Sequence, residues 1–207
     1  APLVPIGDRD LFNEFQSCLN IGGIANISFQ QNGQPKAYDI CIANMALNYV
    51  TELIGKAYDN GGTIAKEGNV STLLLEQLHQ LNSNQQSLGR EWFEKLFLPI
   101  LEKHSISVND KLATIVQYIA KQISDCLTTH HLQSVLISGG GTYNTFLIDT
   151  LKKMYHGKVE IPNDEIIQFK EALIFAYLGY LRINEKPNAL SSVTGAKKDS
   201  IGGCVYL

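Results

Sequence analysis

LNIGGIANISFQQNGQPKAYDICIAN, residues 19–44, decides the fold. Two strand-like runs carry a glycine pair on the first, a polar turn between them and an aspartate toward the end of the second. This is the pattern of a hairpin that cradles phosphate. Phosphate oxygens need donors close at hand, and Gly22-Gly23 removes two β-carbons so that backbone N–H groups can approach them. Asn20 and Asn26 flank the pair. Asp39, on the returning strand, can hold Mg²⁺ through one carboxylate while waters and nucleotide phosphates complete the shell. The structural alternative is a glycine bulge inside a strand.

A second glycine cluster lies in SVLISGGGTYN, residues 134–144. Val135, Leu136 and Ile137 precede Gly139-Gly140-Gly141, and a helix-forming segment begins near Thr142. The reading is strand, glycine turn, helix start, with a helix N-terminus that favours anionic or polar ligands. One glycine suffices for a tight turn, so three in a row point to a base or phosphate lying against bare backbone. Neither GxxxxGK[ST] nor GxGxxG is present, which argues against a P-loop or dinucleotide-binding protein.

At 207 residues the chain can bury a full core. Its 44% apolar and 18% charged content are those of an ordinary globular protein. A net charge of −3 argues against a nucleic-acid surface. No apolar run is long enough to span a membrane and no signal-peptide order opens the chain, so a cytoplasmic protein is expected. Cys18, Cys41, Cys126 and Cys204 lack CxxC spacing and read as reduced, mostly buried thiols. His130-His131 closes a helix.

Periodicity orders the rest. Ala46, Val50, Leu53, Ile54 and Ala57 form one helical face from near Asn44. Gly61-Gly62 punctuates, and helices follow over 71–81 and 91–103. Leu112, Ile115, Val116, Ile119, Ala120, Ile123 and Leu127 make an unbroken stripe, with Asn109 or Asp110 as N-cap. After the 134–138 strand come a helix to about Met154, a short strand over 158–161 and a helix over 164–181. That last helix is apolar nearly all round, which predicts a buried element. The order is βββ, helices, β, α, β, α.

This order, with its glycine turns, resembles one lobe of the actin-like, heat-shock and sugar-kinase ATPase superfamily. More specifically, APLVP, NIGGIANIS, YDICIANMALNYV, YDNGGTIAKEG, SLGREWFEK, SGGGTYNTFLI, KEALIFAYLGYL and SVTGA, in that order, resemble the C-terminal part of anhydro-N-acetylmuramic acid kinases. The resemblance spans nearly the whole chain. It implies an α/β, ribonuclease H-like lobe, a mixed sheet flanked by helices with a helical insertion. Residues 1–207 would form a single C-terminal lobe, with the phosphate-binding hairpin at 19–41, the insertion at 60–105 and an adenosine-side part at 132–207. It further implies ATP-dependent phosphorylation of 1,6-anhydro-N-acetylmuramic acid with opening of the anhydro bridge, giving N-acetylmuramic acid 6-phosphate in cell-wall sugar recycling. On the same basis Asn20, Gly22, Gly23, Asn26, Gly139, Gly140, Gly141 and Asn144 would bind the nucleotide, Asp39 would hold Mg²⁺ and Glu171, in a buried helix, would lie near the sugar. Glu171 also has a plainer reading, as an acidic residue in the first turn of a helix.

Where the family commonly reads DTGPGN, this chain has Asp39-Ile40-Cys41-Ile42-Ala43-Asn44, without the glycines and proline. Gln85-Gln86 stand where a Pro-Lys pair often precedes the SxGxE element. The family's general-base aspartate and first phosphate loop would precede Ala1, so the expectation is a lobe that is nearly inactive by itself and partners a missing N-terminal lobe. Such a lobe would expose an apolar cleft face and could self-associate. Two other readings stay open: a non-catalytic nucleotide-binding or scaffold module, and a kinase of the same superfamily acting on another sugar.

Overall fold

A computed structural model describes residues 3–81 and 87–206. The departure at Gln85-Gln86 therefore lies outside the described residues.

Five strands form one mixed sheet in the order β3-β2-β1-β4-β5. They are β1 (Ser17–Ile21), β2 (Ile24–Gln31), β3 (Gln34–Ile42), β4 (Ser134–Ser138) and β5 (Lys158–Glu160). The first three make an antiparallel meander, and β4 and β5 join parallel to β1. Residues 19–44 thus hold most of three strands, and the glycine pair occupies the turn between β1 and β2, not the interior of a strand. Asn32 and Gly33, with φ of 52° and 74°, make the β2–β3 turn, the left-handed geometry that Asn-Gly hairpins adopt.

Side chains alternate across the sheet. Leu19, Ile21, Ile27, Val135 and Ile137 enter the main core with helices α2 (Asn44–Glu52), α7 (Val108–Thr129) and α8 (Thr145–Met154). The expected α7 stripe is buried throughout. Its cap is Ser107, whose hydroxyl accepts from the Asp110 N–H, because the helix starts at Val108, two or three residues earlier than a cap at Asn109 or Asp110 would set. Between β3 and α7 lie α3 (Thr63–Lys66), α4 (Thr72–His79) and a composite helix. The last runs from α5 (Arg90–Trp92) through a π-helical turn (Phe93–Phe97) into α6 (Leu98–Lys103).

The opposite sheet face is covered by α1 (Val4–Leu11) and α9 (Asp164–Ile183), with the short α10 (Ser191–Thr194) against β3. Its apolar clusters are small: Phe12, Cys18 and Leu136 in one, Ile6, Ile174, Leu178, Leu181 and Leu190 in the other. The expectation of a buried α9 is corrected here. Ile174, Leu178 and Leu181 face inward, but Phe169 is 60% and Ile183 76% exposed. Composition counted the apolar residues of this helix, and the fold covers only one side of it.

Of the cysteines, Cys18 and Cys41 are buried, Cys126 is half-buried and Cys204 is exposed. His130 follows the last turn of α7, where its Nε2 lies 2.7 Å from the Tyr38 hydroxyl. No described helix is long and apolar enough to cross a membrane.

Candidate active-site cleft

The register of the sheet lines up a polar row. Asp39 pairs with Asn26, Asn26 with Asn20 and Asn20 with Ser138, so four strands present polar side chains on the face that carries α1 and α9. A bulge at the Ala25/Asn26 step brings Asp39 into this row. Above it opens a cavity of about 460 Å³, within the size range of small-ligand sites. Asn20, Gly22, Asn26, Gly139, Gly140 and Glu171 all line it, together with Ser138, Gln168, Lys170 and Val4, the first residue of α1. Residues from 20 to 171 in the chain thus meet in one place. Gln168 escaped the sequence reading, although it stands three residues before Glu171 and hence on the same flank of α9.

Gly140 also borders a second cavity, of about 410 Å³, with Asn44, Leu47, Tyr58, Asp59, Tyr143 and Asn144. The glycine turn after β4 is therefore a low wall between two hollows. The two tyrosines and Leu47 give the second one the flat, apolar lining that suits an aromatic ring.

The glycines separate into two kinds. Gly139 has φ of +86°, and a β-carbon there would lie 2.5 Å from Asn20 Oδ1 and 2.8 Å from the Ile21 carbonyl oxygen. One on Gly141 would lie 2.2 Å from Ile21 Cγ2. The fold itself demands these two. Gly140 meets nothing closer than Asn44 Nδ2 at 3.9 Å, and Gly23 nothing closer than Met45 Cε at 3.7 Å. At Gly22 the nearest atom is Asn20 Nδ2 at 3.4 Å, and none of these three has a left-handed backbone. Nothing among the described residues requires Gly22, Gly23 and Gly140 to be bare, and Gly22 and Gly140 line the cleft.

The carbonyls of the glycine pair have partners. Gly23 accepts from the N–H groups of Ala43 and Met45, and Gly22 from that of Asn44. These bonds fasten the turn to the start of α2 and occupy the amides of that helix N-terminus. Asn44 Nδ2 adds a bond to the Ile21 carbonyl at 3.3 Å. Ile40 to Ala43, the stretch read above as a departure from the family pattern, are all buried in the core. After β4, a 3₁₀ turn (Gly140–Tyr143) intervenes before α8. The helix therefore begins at Thr145, later than the sequence suggests, and Asn144 is its N-cap, its Oδ1 accepting from Leu147 N–H at 3.0 Å.

Asp39 stands apart from the glycines. It lines a neighbouring cavity of about 340 Å³ that shares Val4 and Asn26 with the cleft. Its Oδ2 accepts from the Leu88 N–H at 2.8 Å, which anchors the SLGRE segment beside the sheet. Among the described residues its other oxygen has no hydrogen-bond partner, which fits Mg²⁺, an ion that takes one or two protein carboxylates and fills its shell with water and phosphate. Among the described residues no group of three His, Cys, Asp or Glu side chains forms a metal cage. Glu171 is exposed and is the eighth residue of α9, so the first-turn explanation for its charge does not hold.

A family model, that of anhydro-N-acetylmuramic acid kinase, matches residues 1–207. The chain belongs to this family. An anhydro-N-acetylmuramic acid kinase of Pasteurella multocida is 36% identical over the whole chain, which covers 59% of that protein. Those of Aliivibrio fischeri and Mannheimia succiniciproducens are 33% and 34% identical, covered to 60% and 61%. The chain thus spans about 60% of the length of these kinases. Among solved structures, the activator of the 2-hydroxyisocaproyl-CoA dehydratase from Clostridium difficile, which carries bound ADPNP, superposes with a TM-score of 0.55. The match covers 89% of this chain and 68% of that one at 17% identity. Component A of the Acidaminococcus fermentans (R)-2-hydroxyglutaryl-CoA dehydratase gives 0.50 at 14% identity, covering 84% and 64%. These two show the fold: a ribonuclease H-like lobe of the actin-like ATPase and sugar-kinase type.

Proposed function

We propose that this chain is the nucleotide- and sugar-binding lobe of a kinase that converts 1,6-anhydro-N-acetylmuramic acid to N-acetylmuramic acid 6-phosphate with ATP. The observation that carries this reading is the set of glycines the fold does not need. Gly140 lies between the two cavities, so the adenosine occupies the 410 Å³ hollow and the phosphates cross Gly140 toward Gly22 and Gly23. Asn144 is then a positioning residue that fixes the edge of the adenosine site through its cap. Mg²⁺, held by the Asp39 carboxylate, would neutralise phosphate charge. Asn20 and Asn26 stand with Gly22 on the nucleotide side of the cleft, and Gln168 and Glu171 remain for the sugar, whose hydroxyls and amide need paired donors and acceptors.

Phosphoryl transfer rests chiefly on positioning and charge stabilisation. The sugar O6 bonds to the γ-phosphorus as the bond to the ADP oxygen breaks. Water adds at C1 as the C1–O6 bond breaks, and its proton passes to a general base. On this reading that base, and the first phosphate loop, lie outside residues 1–207. General-base help is worth about 10²- to 10⁴-fold, so these residues alone transfer phosphate very slowly. The core packing of Ile40 to Ala43 leaves no ligand loop there, which favours the scaffold reading, and the three unrequired glycines oppose it.

The test is incubation of the full-length protein with Mg²⁺-ATP and 1,6-anhydro-N-acetylmuramic acid, with mass analysis of the sugar. A product heavier by one phosphoryl group (HPO3) and one water supports the proposal. A protein that binds ATP and leaves the sugar unchanged overturns the substrate assignment.

A further inference from the structure

On the face that carries α1 and α9 lies a buried ion pair the cleft chemistry does not use. Lys170 and Asp8 each keep only 8% of their side-chain surface exposed, and Lys170 Nζ bonds Asp8 Oδ1. Ser28 Oγ donates to Asp8 Oδ2 at 2.5 Å, and the ammonium sits 5.5 Å from the centroid of the Phe12 ring. The three groups come from α9, α1 and β2. Lys170 itself borders the 460 Å³ cleft, and Asp8 and Ser28 each stand one step behind a residue that lines it. Lys170 precedes Glu171, Asp8 is one helical turn beyond Val4, and Ser28 is the next residue after Asn26 on the same sheet face.

Stability is a poor explanation for such a pair. Removing two charges from water costs about as much as their attraction returns, and apolar replacements of like volume are often neutral or better. Direction is what the pair adds, because its bonds close at one relative placement of the three elements, whereas apolar contacts tolerate sliding. The helices already cross closely here: a β-carbon on Gly7 would lie 2.6 Å from the Ile174 side chain. We infer that Asp8, Lys170 and Ser28 are positioning residues that hold Glu171 and the first turn of α1 in register with the hairpin, fixing the sugar side of the cleft independently of the nucleotide side. The sugar part of this inference rests on the function proposed above.

The test uses the full-length protein carrying D8L/K170M, with S28A as a milder variant and Lys170→Arg as the conservative one. Amide hydrogen exchange is followed over 4–8, 164–171 and 112–127, beside thermal melting. Exchange over 4–8 and 164–171 should rise about tenfold or more in D8L/K170M and less in S28A, with 112–127 and the melting temperature little changed. Lys170→Arg should restore slow exchange. Unchanged exchange at 164–171 would overturn the inference. So would faster exchange everywhere or failure of D8L/K170M to fold, since either makes the pair a stability element. Calorimetric titration with 1,6-anhydro-N-acetylmuramic acid and with an ATP analogue should show the variant weakened for the sugar alone. If the unaltered chain binds nucleotide and no sugar, the functional reading fails, while the exchange data still decide the positioning role.

Discussion

Alanine substitution at three consecutive glycines should separate the residues the fold needs from the one a ligand needs. At Gly139 the backbone is left-handed, and an added methyl would sit 2.5 Å from Asn20 Oδ1 and 2.8 Å from the Ile21 carbonyl oxygen. The conformation costs an L-residue about 1–2 kcal/mol and the crowding about 1–3 kcal/mol. In a chain of this length each kcal/mol moves the melting temperature by about 2–4 °C, so Gly139→Ala should melt roughly 5–15 °C below the parent. Gly141→Ala forces a methyl into the fully buried Ile21 and should lose about 1–3 kcal/mol. Gly140→Ala meets open space, and alanine narrows the unfolded ensemble by about 0.4–1 kcal/mol, so its melting temperature should hold or rise slightly. Thermal melts by circular dichroism with nucleotide titrations on the same samples read both effects. Gly140→Ala should fold fully and bind an ATP analogue at least about tenfold more weakly, a loss of about 1.4 kcal/mol. A Gly140→Ala melt as low as that of Gly139→Ala would refute the division of the glycines, and normal nucleotide binding by Gly140→Ala would refute the assignment of its bare backbone to a ligand.

Burial holds the imidazoles of His130 and His79 below their usual titration range, helped by the charge of His131 at the first and of Lys121 at the second. The unfolded chain then takes up protons that the folded one refuses, so this contribution is present above about pH 6.5 and fades as pH falls below it. The drop in melting temperature between pH 7.5 and 5.5 should shrink in a His79→Gln, His130→Gln double variant, and an undiminished drop would exclude these two groups as its source. Burial, with the nearby Asp8 charge, pushes the Cys18 thiol up to about 12, and Cys41 is also raised by burial. A thiol reagent at pH 8 should therefore label exposed Cys204 first and leave both unmodified until the chain unfolds; rapid native labelling of Cys18 would contradict its burial with Phe12 and Leu136. Asn144→Ala removes the cap of α8 and should cost about 1 kcal/mol, read as a fall of about 2–4 °C in melting temperature. An unchanged melt would mean that the cap bond contributes nothing.

The meander and the β4 glycine turn were legible because both follow from local chemistry: alternating apolar residues, an Asn-Gly turn and glycine runs. The grouping of Asn20, Asn26, Gly140 and Glu171 was reachable only through the resemblance, since nothing local tells which strands pair. The division among the glycines was invisible. Gly139, Gly140 and Gly141 are identical as letters, and only the position of Ile21 beside two of them distinguishes their roles. The Asp8–Lys170 pair joins residues 162 positions apart and leaves no periodic trace. The α9 error has the same origin, because a helix that is apolar on most sides does not record how many of them its fold covers. Similarly, Ser107, Asn109 and Asp110 are all good caps, and the choice among them is made by where α7 meets the sheet.

The most direct measurement for the central claim is calorimetric titration of the 207-residue chain with Mg²⁺ and a non-hydrolysable ATP analogue, run beside Gly140→Val. Saturable one-to-one binding by the parent, abolished in a Gly140→Val chain that remains folded by circular dichroism, is the predicted result. A folded parent that takes up no nucleotide, or a variant that binds as well as the parent, would contradict it.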